Sequence, residues 1–245
     1  MEKSFKSLEP LRPGDKVAIL SPAGDAASYF PWVLDRGVEQ LENKFSLSAV
    51  EYTTTRQRKP SPEDRARDVN EAFANPDIKA IFTAIGGQEQ VRLLQHLDAD
   101  IISANPKPYI GYSDNTNIIQ YLWNLGIPAY YGGALMTQFA MQPAMFEMTT
   151  DSLRHALFDK GWHTLNPSSE FTDIELEWAD KDNLYRQRTV EPNHNGWVWS
   201  GTKYAEGRLW GGCVEALIGY LVAGKQIPDF KRQREDIVLF LETAE

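Results

Sequence analysis

Residues 78–97 read IKAIFTAIGGQEQVRLLQHL, and this stretch decides the fold class. An apolar run over 78–85 ends at the pair Gly86 and Gly87, and apolar residues then recur at helical spacing over 91–97. A short apolar run closed by glycines predicts a buried strand and a turn, and the spacing that follows predicts a helix.

The same order of strand, turn and helix recurs on both sides of this stretch. KVAIL at 16–20 ends in Ser-Pro-Ala-Gly, and PYIGY at 108–112 leads into Ser113 and Asp114, which are typical residues at a helix start. Helical patterns are predicted at 32–42, 62–73 and 113–123, and a fourth short strand at 127–131. Strands that alternate with helices predict an α/β fold with a mostly parallel sheet and flanking helices.

The pattern changes after Met136, where a Met- and Phe-containing stretch leads into a segment rich in Trp and charge. We therefore expect an N-terminal α/β nucleophile domain at 1–165, a linker and substrate loop at 166–205, and the start of a smaller mixed α/β C-terminal domain at 206–245. A unit of about 40 residues is small for independent folding. We therefore expect this second domain to be truncated in the sequence as it stands.

Composition limits the functional classes. The 245 residues include 25 Lys and Arg against 34 Asp and Glu, a net charge of −9 that disfavours nucleic acid as a partner. The single cysteine, Cys213, excludes an internal disulfide and a cysteine-based metal site. The N-terminus is charged, and no window approaches the roughly 18 apolar residues of a membrane span. These features predict a cytoplasmic protein without a metal or a membrane partner.

Ser113 is the first candidate for chemistry, because a sharp turn from strand to helix exposes a hydroxyl and aims backbone N–H groups at a developing oxyanion. Gly111 and Ser113 match the G-x-S-x-G nucleophile elbow, but Asn115 stands at its last glycine. Gly86 and Gly87 could bring a donor to the same point. The alternatives are that Ser113 only caps a helix and that the glycines only form a turn. The glycine-rich motifs of nucleotide-binding loops are absent from the sequence.

Other candidates for the site leave alternatives open. The histidines available as a general base are His96, His155, His163 and His194, each of which is also typical of a surface or packing position. Glu242 ends an apolar strand and either faces a cleft or marks the exit to solvent. The aromatic and basic residues of the long loop are Trp178, Tyr185, Arg186, Arg188, Trp197 and Trp199. They could hold a planar, negatively charged ligand or only pack the loop.

Five stretches, taken in order, resemble the LD-carboxypeptidase family of serine peptidases. They are LRPGDKVAILSPAG (11–24), IGG (85–87), YIGYSD (109–114), GRLWGGC (207–213) and LFLETAE (239–245). The long aromatic insert before Gly207 and the last two motifs are more similar to the microcin C immunity branch than to the muropeptide enzymes. Where the family commonly has small residues and an Asn after the glycine pair, this chain has Gln88, Glu89 and Gln90.

The resemblance implies roles for individual residues. It makes Ser113 the nucleophile, Glu242 the glutamate of the triad, and the N–H groups of Gly87 and Asp114 the oxyanion donors. It also implies a triad histidine beyond the glutamate strand, which this sequence does not reach, so that we expect the chain to be nearly inactive. For substrate binding we predict four residues, namely Gly86, Trp178, Arg186 and Trp197.

The function that follows from the resemblance is a serine carboxypeptidase or amidase, which hydrolyses a C-terminal amide of a peptide or peptidyl-nucleotide through an acyl-enzyme. It implies no cofactor, a small-molecule substrate and a homodimer. The alternatives are a muropeptide LD-carboxypeptidase of cell-wall recycling and a non-catalytic binding module that lacks the base histidine.

Overall fold

The computed structural model describes residues 5–201, 204–224, 226–228 and 236–243. In this part of the chain, one parallel sheet contains five strands. They are β1 (Lys16–Leu20), β2 (Ser48–Glu51), β3 (Ile78–Thr83), β4 (Tyr109–Gly111) and β5 (Tyr130–Tyr131). Their spatial order is β2-β1-β3-β4-β5, so the order reverses between β1 and β3. Open parallel sheets bind ligands at such a reversal, outside the carboxyl ends of the strands.

Helices cover both faces of this sheet. They are α1 (Ala26–Tyr29), α2 (Pro31–Phe45), α3 (Pro62–Ala74), α4 (Ala99–Ala104), α5 (Thr116–Asn124) and α6 (Glu147–Phe158). Alternate residues of β1 enter two cores: Val17 and Ile19 pack with α2, whereas Ala18 and Leu20 pack with α3 and α5. Because both faces are covered, β1 is apolar and buried at every position after Lys16.

The predicted α/β class is confirmed, and the differences in detail have local causes. The helix predicted over 91–97 is a 3-10 turn, Gln90–His96. The strand predicted over 127–131 is reduced to β5, because the Ile127 N–H donates to the Leu122 carbonyl and so belongs to the end of α5. Neither β2 nor α4 was predicted from the sequence.

The rest of the described chain forms two smaller units. In the aromatic segment, β6 (Glu170–Phe171) and β7 (Glu191–Pro192) form an antiparallel pair. Further on, β8 (Arg208–Cys213), α7 (Val214–Ala223) and β9 (Ile237–Glu242) form a parallel strand-helix-strand unit. The domain boundaries at 165 and 205 stay a prediction. Of the helices described, none has the length and apolar content that crossing a membrane requires.

The unit formed by β8, α7 and β9 packs against α5. Its contact is a cluster of Trp123, Trp210, Leu217 and Tyr220. The Trp123 indole donates to the Leu209 carbonyl at 3.1 Å, and the Gln120 side chain donates to the carbonyl of Gly211. This packing places the end of β9, and with it Glu242, beside the end of β5. Of the motif at 239–245, Ala244 and Glu245 lie outside the described residues.

Candidate active site

The loops that follow β1, β3, β4 and β5 meet at the carboxyl edge of the sheet. The Gln88 N–H donates to the Ala23 carbonyl at 3.2 Å, which joins the first two loops. The Asn115 amide donates to the Ile85 carbonyl at 3.2 Å, which joins the second and third. The Gly132 N–H donates to the Gly111 carbonyl at 2.9 Å, which joins the ends of β4 and β5. The four loops therefore form one continuous edge.

Ser113 stands at the centre of this edge in a strained conformation. Its φ of 58° lies in the left-handed region, which a residue with a side chain rarely adopts. The serine follows β4 directly and opens the 3-10 turn Ser113–Asn115, after which α5 begins. Such strain persists where the surroundings enforce it, and it is the geometry of a nucleophile elbow.

Asn115 accounts for the departure from the G-x-S-x-G pattern. Its side chain is fully buried, donates to the Tyr112 carbonyl at 3.0 Å and accepts from the Tyr109 hydroxyl at 2.8 Å. A Cβ at Gly111 would lie 2.9 Å from the Asn115 Cγ, so the first glycine of the pattern is required by this packing. The turn is thus held by an asparagine side chain at the position where the elbow motif has its last glycine.

The two glycines after β3 serve different purposes. A Cβ on Gly86 would lie 2.9 Å from the Cβ of Ser113 and 3.1 Å from its hydroxyl, so this glycine lets the loop approach the nucleophile. A Cβ on Gly87 would overlap the Ala23 carbonyl, so that glycine lets the loop approach β1. Gly87 and Asp114 both line the pocket at Ser113, and their oxyanion role stays a prediction.

Gln90, which sequence reasoning noted only as a departure from the family pattern, locks this loop to the nucleophile turn. Its side chain is fully buried, donates to Asn115 Oδ1 at 2.8 Å and accepts from the Ile118 N–H at 2.9 Å. Its backbone N–H donates to Asp114 Oδ2 at 2.9 Å. Burial raises the pKa of the Asp114 carboxyl, although hydrogen bonds from the backbone of Gln90 and Glu89 oppose that rise.

Glu242 reaches the nucleophile turn through a tyrosine. The Tyr131 hydroxyl donates to Glu242 Oε2 at 2.6 Å and accepts from the Ser113 N–H at 3.0 Å. The sequence predicted a strand ending at Tyr131 but assigned this residue no role. The structure brings Ser113, Gly86, Gly87, Asp114 and Glu242 together and places Tyr131 between Ser113 and Glu242. Their catalytic roles stay predictions.

Two pockets lie on either side of this turn. The first has a volume of about 910 Å³ and includes Gly87, Gln88, Ser113, Asp114, Asn117, Cys213, Glu215 and Tyr220 in its lining. The second has a volume of about 880 Å³ and includes Phe30, Tyr112, Met136, Met141, Trp178 and Arg188. Ser113 lines the first pocket, and its neighbour Tyr112 lines the second.

The predicted substrate residues of the long loop are placed differently from one another. Trp178 lines the second pocket, where its ring packs edge-on against Phe30 at 5.5 Å. Arg188 lines the same pocket and donates to Gln142 Oε1 at 2.7 Å. Arg186 and Trp197 are exposed and belong to the lining of neither pocket.

The histidines lie elsewhere. His96 pairs with Glu63 at 3.1 Å beside α3. His155 stacks on His163 with ring centres 4.0 Å apart and bonds to Asp159. Throughout the residues that the structure describes, none of the four histidines lines either pocket at Ser113. The same described ranges contain no group of three His, Cys, Asp or Glu side chains placed to hold a metal ion.

Comparison with known proteins gives a consistent result. The sequence model of a protein family, the LD-carboxypeptidase N-terminal domain, matches residues 17–132. The microcin C7 self-immunity protein MccF of Escherichia coli is 33% identical over 216 residues, which cover 86% of this chain and 62% of that protein. A solved structure of MccF in complex with glutamyl sulfamoyl guanosine superimposes with a TM-score of 0.84 at 30% identity, covering 96% of this chain and 70% of the other.

A murein enzyme is also similar over a shorter stretch. The murein tetrapeptide carboxypeptidase of Pseudomonas aeruginosa is 31% identical over 125 residues, 48% of this chain and 38% of that protein. The chain spans 62% of the length of the E. coli protein and 65% of a putative carboxypeptidase of Vibrio cholerae, which is 26% identical.

Proposed function

Because this chain belongs to the LD-carboxypeptidase family, we propose that it is a serine hydrolase of the microcin C self-immunity type. Its substrate would be a peptidyl- or aminoacyl-nucleotide, cleaved at an amide through an acyl-enzyme on Ser113. The observation that supports this most is the strained φ of 58° at Ser113, on a turn that faces a pocket of about 910 Å³. MccF, 33% identical, is solved with glutamyl sulfamoyl guanosine and with aspartyl sulfamoyl adenosine, which supports the substrate class.

The proposed reaction follows from the positions of the groups. The Ser113 Oγ attacks the substrate carbonyl carbon while its proton passes to a general base, and the N–H groups of Gly87 and Asp114 stabilise the oxyanion. The base then protonates the leaving amine as the C–N bond breaks. Water, deprotonated by the same base, hydrolyses the acyl-enzyme and restores the serine. Glu242 orients the base, and we assign that base to none of the four histidines in this sequence.

For the leaving group we propose the second pocket, with Trp178 against a planar ring and Arg188 near a negative charge. Both residues line that pocket, whereas Arg186 and Trp197 line neither. Burial lowers the pKa of the Arg188 guanidinium, yet an arginine keeps its charge at neutral pH. An aromatic face and a guanidinium are suited to a base and its attached anionic group.

A muropeptide LD-carboxypeptidase is the second candidate. The 31% identity to the P. aeruginosa murein tetrapeptide carboxypeptidase over 125 residues supports it. A cell-wall tetrapeptide has no planar ring for Trp178, so the two substrates make different use of the second pocket. Comparing their hydrolysis separates the candidates.

The test is a substrate panel on a form of the protein that includes the general base, with two serine variants. We expect aspartyl sulfamoyl adenosine to be hydrolysed faster than an L,D-tetrapeptide, with products measured by liquid chromatography. Ser113→Ala should retain binding and fold but lose most of a total catalytic effect of about 10⁶-fold, because it lacks the nucleophile. Ser48→Ala, an exposed serine in β2, is the matched control and should match the wild type.

Two outcomes of this panel would contradict the proposal. Hydrolysis by Ser113→Ala within tenfold of the wild type would remove Ser113 from the role of nucleophile. With the general base present, binding of either ligand without hydrolysis would favour the third possibility, a binding module that retains the fold.

The place of action and the assembly are also proposals. We propose the cytoplasm because the single cysteine, Cys213, is buried as a free thiol. We propose a homodimer as the assembly state, which sedimentation of the purified chain would test directly.

A further inference from the structure

Tyr131 occupies a position between the two residues that the proposed reaction needs most. Its hydroxyl oxygen lies 3.0 Å from the Ser113 nitrogen and 2.6 Å from Glu242 Oε2. The first contact reaches the strained nucleophile turn, and the second reaches the end of β9. One hydroxyl group thus joins the main sheet to the strand that supplies the carboxylate.

The direction of both hydrogen bonds is fixed by chemistry. A backbone N–H only donates and a carboxylate only accepts, so the Tyr131 oxygen accepts from Ser113 while its own proton points to Glu242. Burial, followed by the hydrogen bond to Glu242, raises the pKa of the Tyr131 phenol. The hydroxyl therefore stays protonated at neutral pH and remains a donor. Among the described residues, Cys213 on β8 also raises the pKa of the Tyr131 phenol.

Packing holds the tyrosine ring in place. Tyr131 is half-buried, and its ring meets Phe240 of β9 edge-on with centres 5.1 Å apart. Because β9 pairs with β8 and not with the main sheet, the position of Glu242 relative to Ser113 depends on contacts of this kind. A hydrogen bond to a charged group is stronger and more directional than the ring contact beside it.

We propose that Tyr131 is a positioning residue, whose hydroxyl fixes the Glu242 carboxylate and holds the Ser113 backbone in its strained conformation. This inference rests on the proposed function. The bond uses Glu242 Oε2, so Oε1 is the oxygen that orients the general base. The tyrosine touches neither the scissile bond nor the base, and it acts through Ser113 and Glu242.

The test compares Tyr131→Phe with Tyr130→Phe in a form of the protein that includes the general base. Tyr130 is the neighbouring, half-buried tyrosine of β5 and packs into the core beside α2, away from the site. In Tyr131→Phe we expect kcat to fall about 10- to 100-fold with KM changed less than threefold, because misplacement by about 1 Å costs that much. Tyr130→Phe should stay within twofold of the wild type. Thermal melting of both variants shows that the fold is kept.

A double-variant cycle separates positioning from mere stability. Once Glu242→Gln has removed the carboxylate, adding Tyr131→Phe should lower kcat by less than threefold more. A purely structural role would lower kcat by the same factor in both backgrounds. In ¹³C-tyrosine NMR, Glu242→Gln should move the Cζ resonance of Tyr131 and leave that of Tyr130 unchanged, because the Tyr131 hydroxyl donates to this carboxylate.

The outcomes distinguish this inference from the function on which it rests. Turnover that is lost in Ser113→Ala but stays within threefold of the wild type in Tyr131→Phe overturns the role of Tyr131 alone. Additive losses in the cycle, or an unchanged Tyr131 resonance in Glu242→Gln, also overturn it. Turnover that persists in Ser113→Ala contradicts the proposed function, and the Tyr131 assignment then fails with it.

Discussion

At the scale of single residues, the two adjacent glycines after β3 have different roles. Gly86 faces the nucleophile, whereas Gly87 faces the Ala23 carbonyl of the loop after β1. An added methyl group therefore has different consequences at the two positions. At Gly86 it would lie 2.9 Å from the Ser113 Cβ, a slight overlap, whereas at Gly87 it would overlap the Ala23 carbonyl deeply.

We expect Gly86→Ala to keep the fold and lose activity. Its Cβ would lie 3.1 Å from the Ser113 hydroxyl, in the space through which a carbonyl must approach. Activity against aspartyl sulfamoyl adenosine should fall by about 10²-fold or more, since exact placement of the reacting atoms governs the rate. Gly87→Ala should instead lower the free energy of unfolding by about 1–3 kcal/mol, as overpacking does. Urea denaturation and the hydrolysis assay measure the two effects, and equal stability losses in both variants would contradict this division.

Sequence reasoning reached the residues of the site that belong to short motifs and missed those that act across the chain. Ser113 and Gly87 sit at ends of strands that the apolar pattern reveals, and Glu242 follows another. Tyr131 and Gln90 are recognisable only by what they bond to, which lies in other elements. A polar residue whose partners are distant in sequence leaves no local pattern to read.

At the scale of elements, α2 packs closely on the π-helical turn Leu135–Phe139. Gly37, one of the buried residues of α2, is where the two backbones meet: a Cβ there would overlap the Leu135 carbonyl. By contrast, Gly219 in α7 is exposed, and a Cβ there would find no atom within 4 Å. The packing of its helix therefore requires a glycine at position 37 but not at position 219.

We expect the same substitution to have opposite signs at these two positions. Gly37→Ala should destabilise the protein by about 1–3 kcal/mol or more, because backbone must move to admit the methyl group. Gly219→Ala should stabilise α7 by up to about 1 kcal/mol, because alanine loses less conformational entropy in a helix. Circular dichroism during urea denaturation gives both values. If Gly37→Ala left the free energy of unfolding unchanged, α2 would be able to shift freely on the turn Leu135–Phe139.

The strength of the local signal decides which elements the sequence predicts. In β1 a continuous apolar run predicted the observed bounds, because burial on both faces leaves little choice of residue. In β2 the four residues SAVE are half-buried or exposed, and nothing marks them as a strand without their partner β1. The Gln90–His96 turn has the apolar spacing of a helix, but the buried Gln90 side chain accepts a hydrogen bond from the Ile118 N–H of α5 instead.

At the scale of the whole molecule, the β8-α7-β9 unit depends on α5 for its place. Thr116, the fully buried first residue of α5, donates its hydroxyl to the Ser113 carbonyl at 2.7 Å and accepts from the Cys213 N–H at 2.9 Å. A Cβ on Gly212 would lie 2.7 Å from the Thr116 side chain, so the strand approaches the helix closely. Both the nucleophile turn and the end of β8 are therefore fixed through one threonine.

Thr116→Val should loosen this contact without disturbing the main sheet. Valine keeps the shape of threonine but leaves the Cys213 N–H without its acceptor, which costs about 1–3 kcal/mol when the group is buried. Hydrogen exchange should therefore speed up at Cys213 and across β8 and α7, while β1 and β3 keep their protection, because a weakened contact opens locally first. Thr150→Val is the matched control: Thr150 lies in the first turn of α6, and its hydroxyl donates to the local Phe146 carbonyl at 3.1 Å. A uniform rise in exchange over β1, β3 and β8 would instead mean that the unit and the sheet unfold as one.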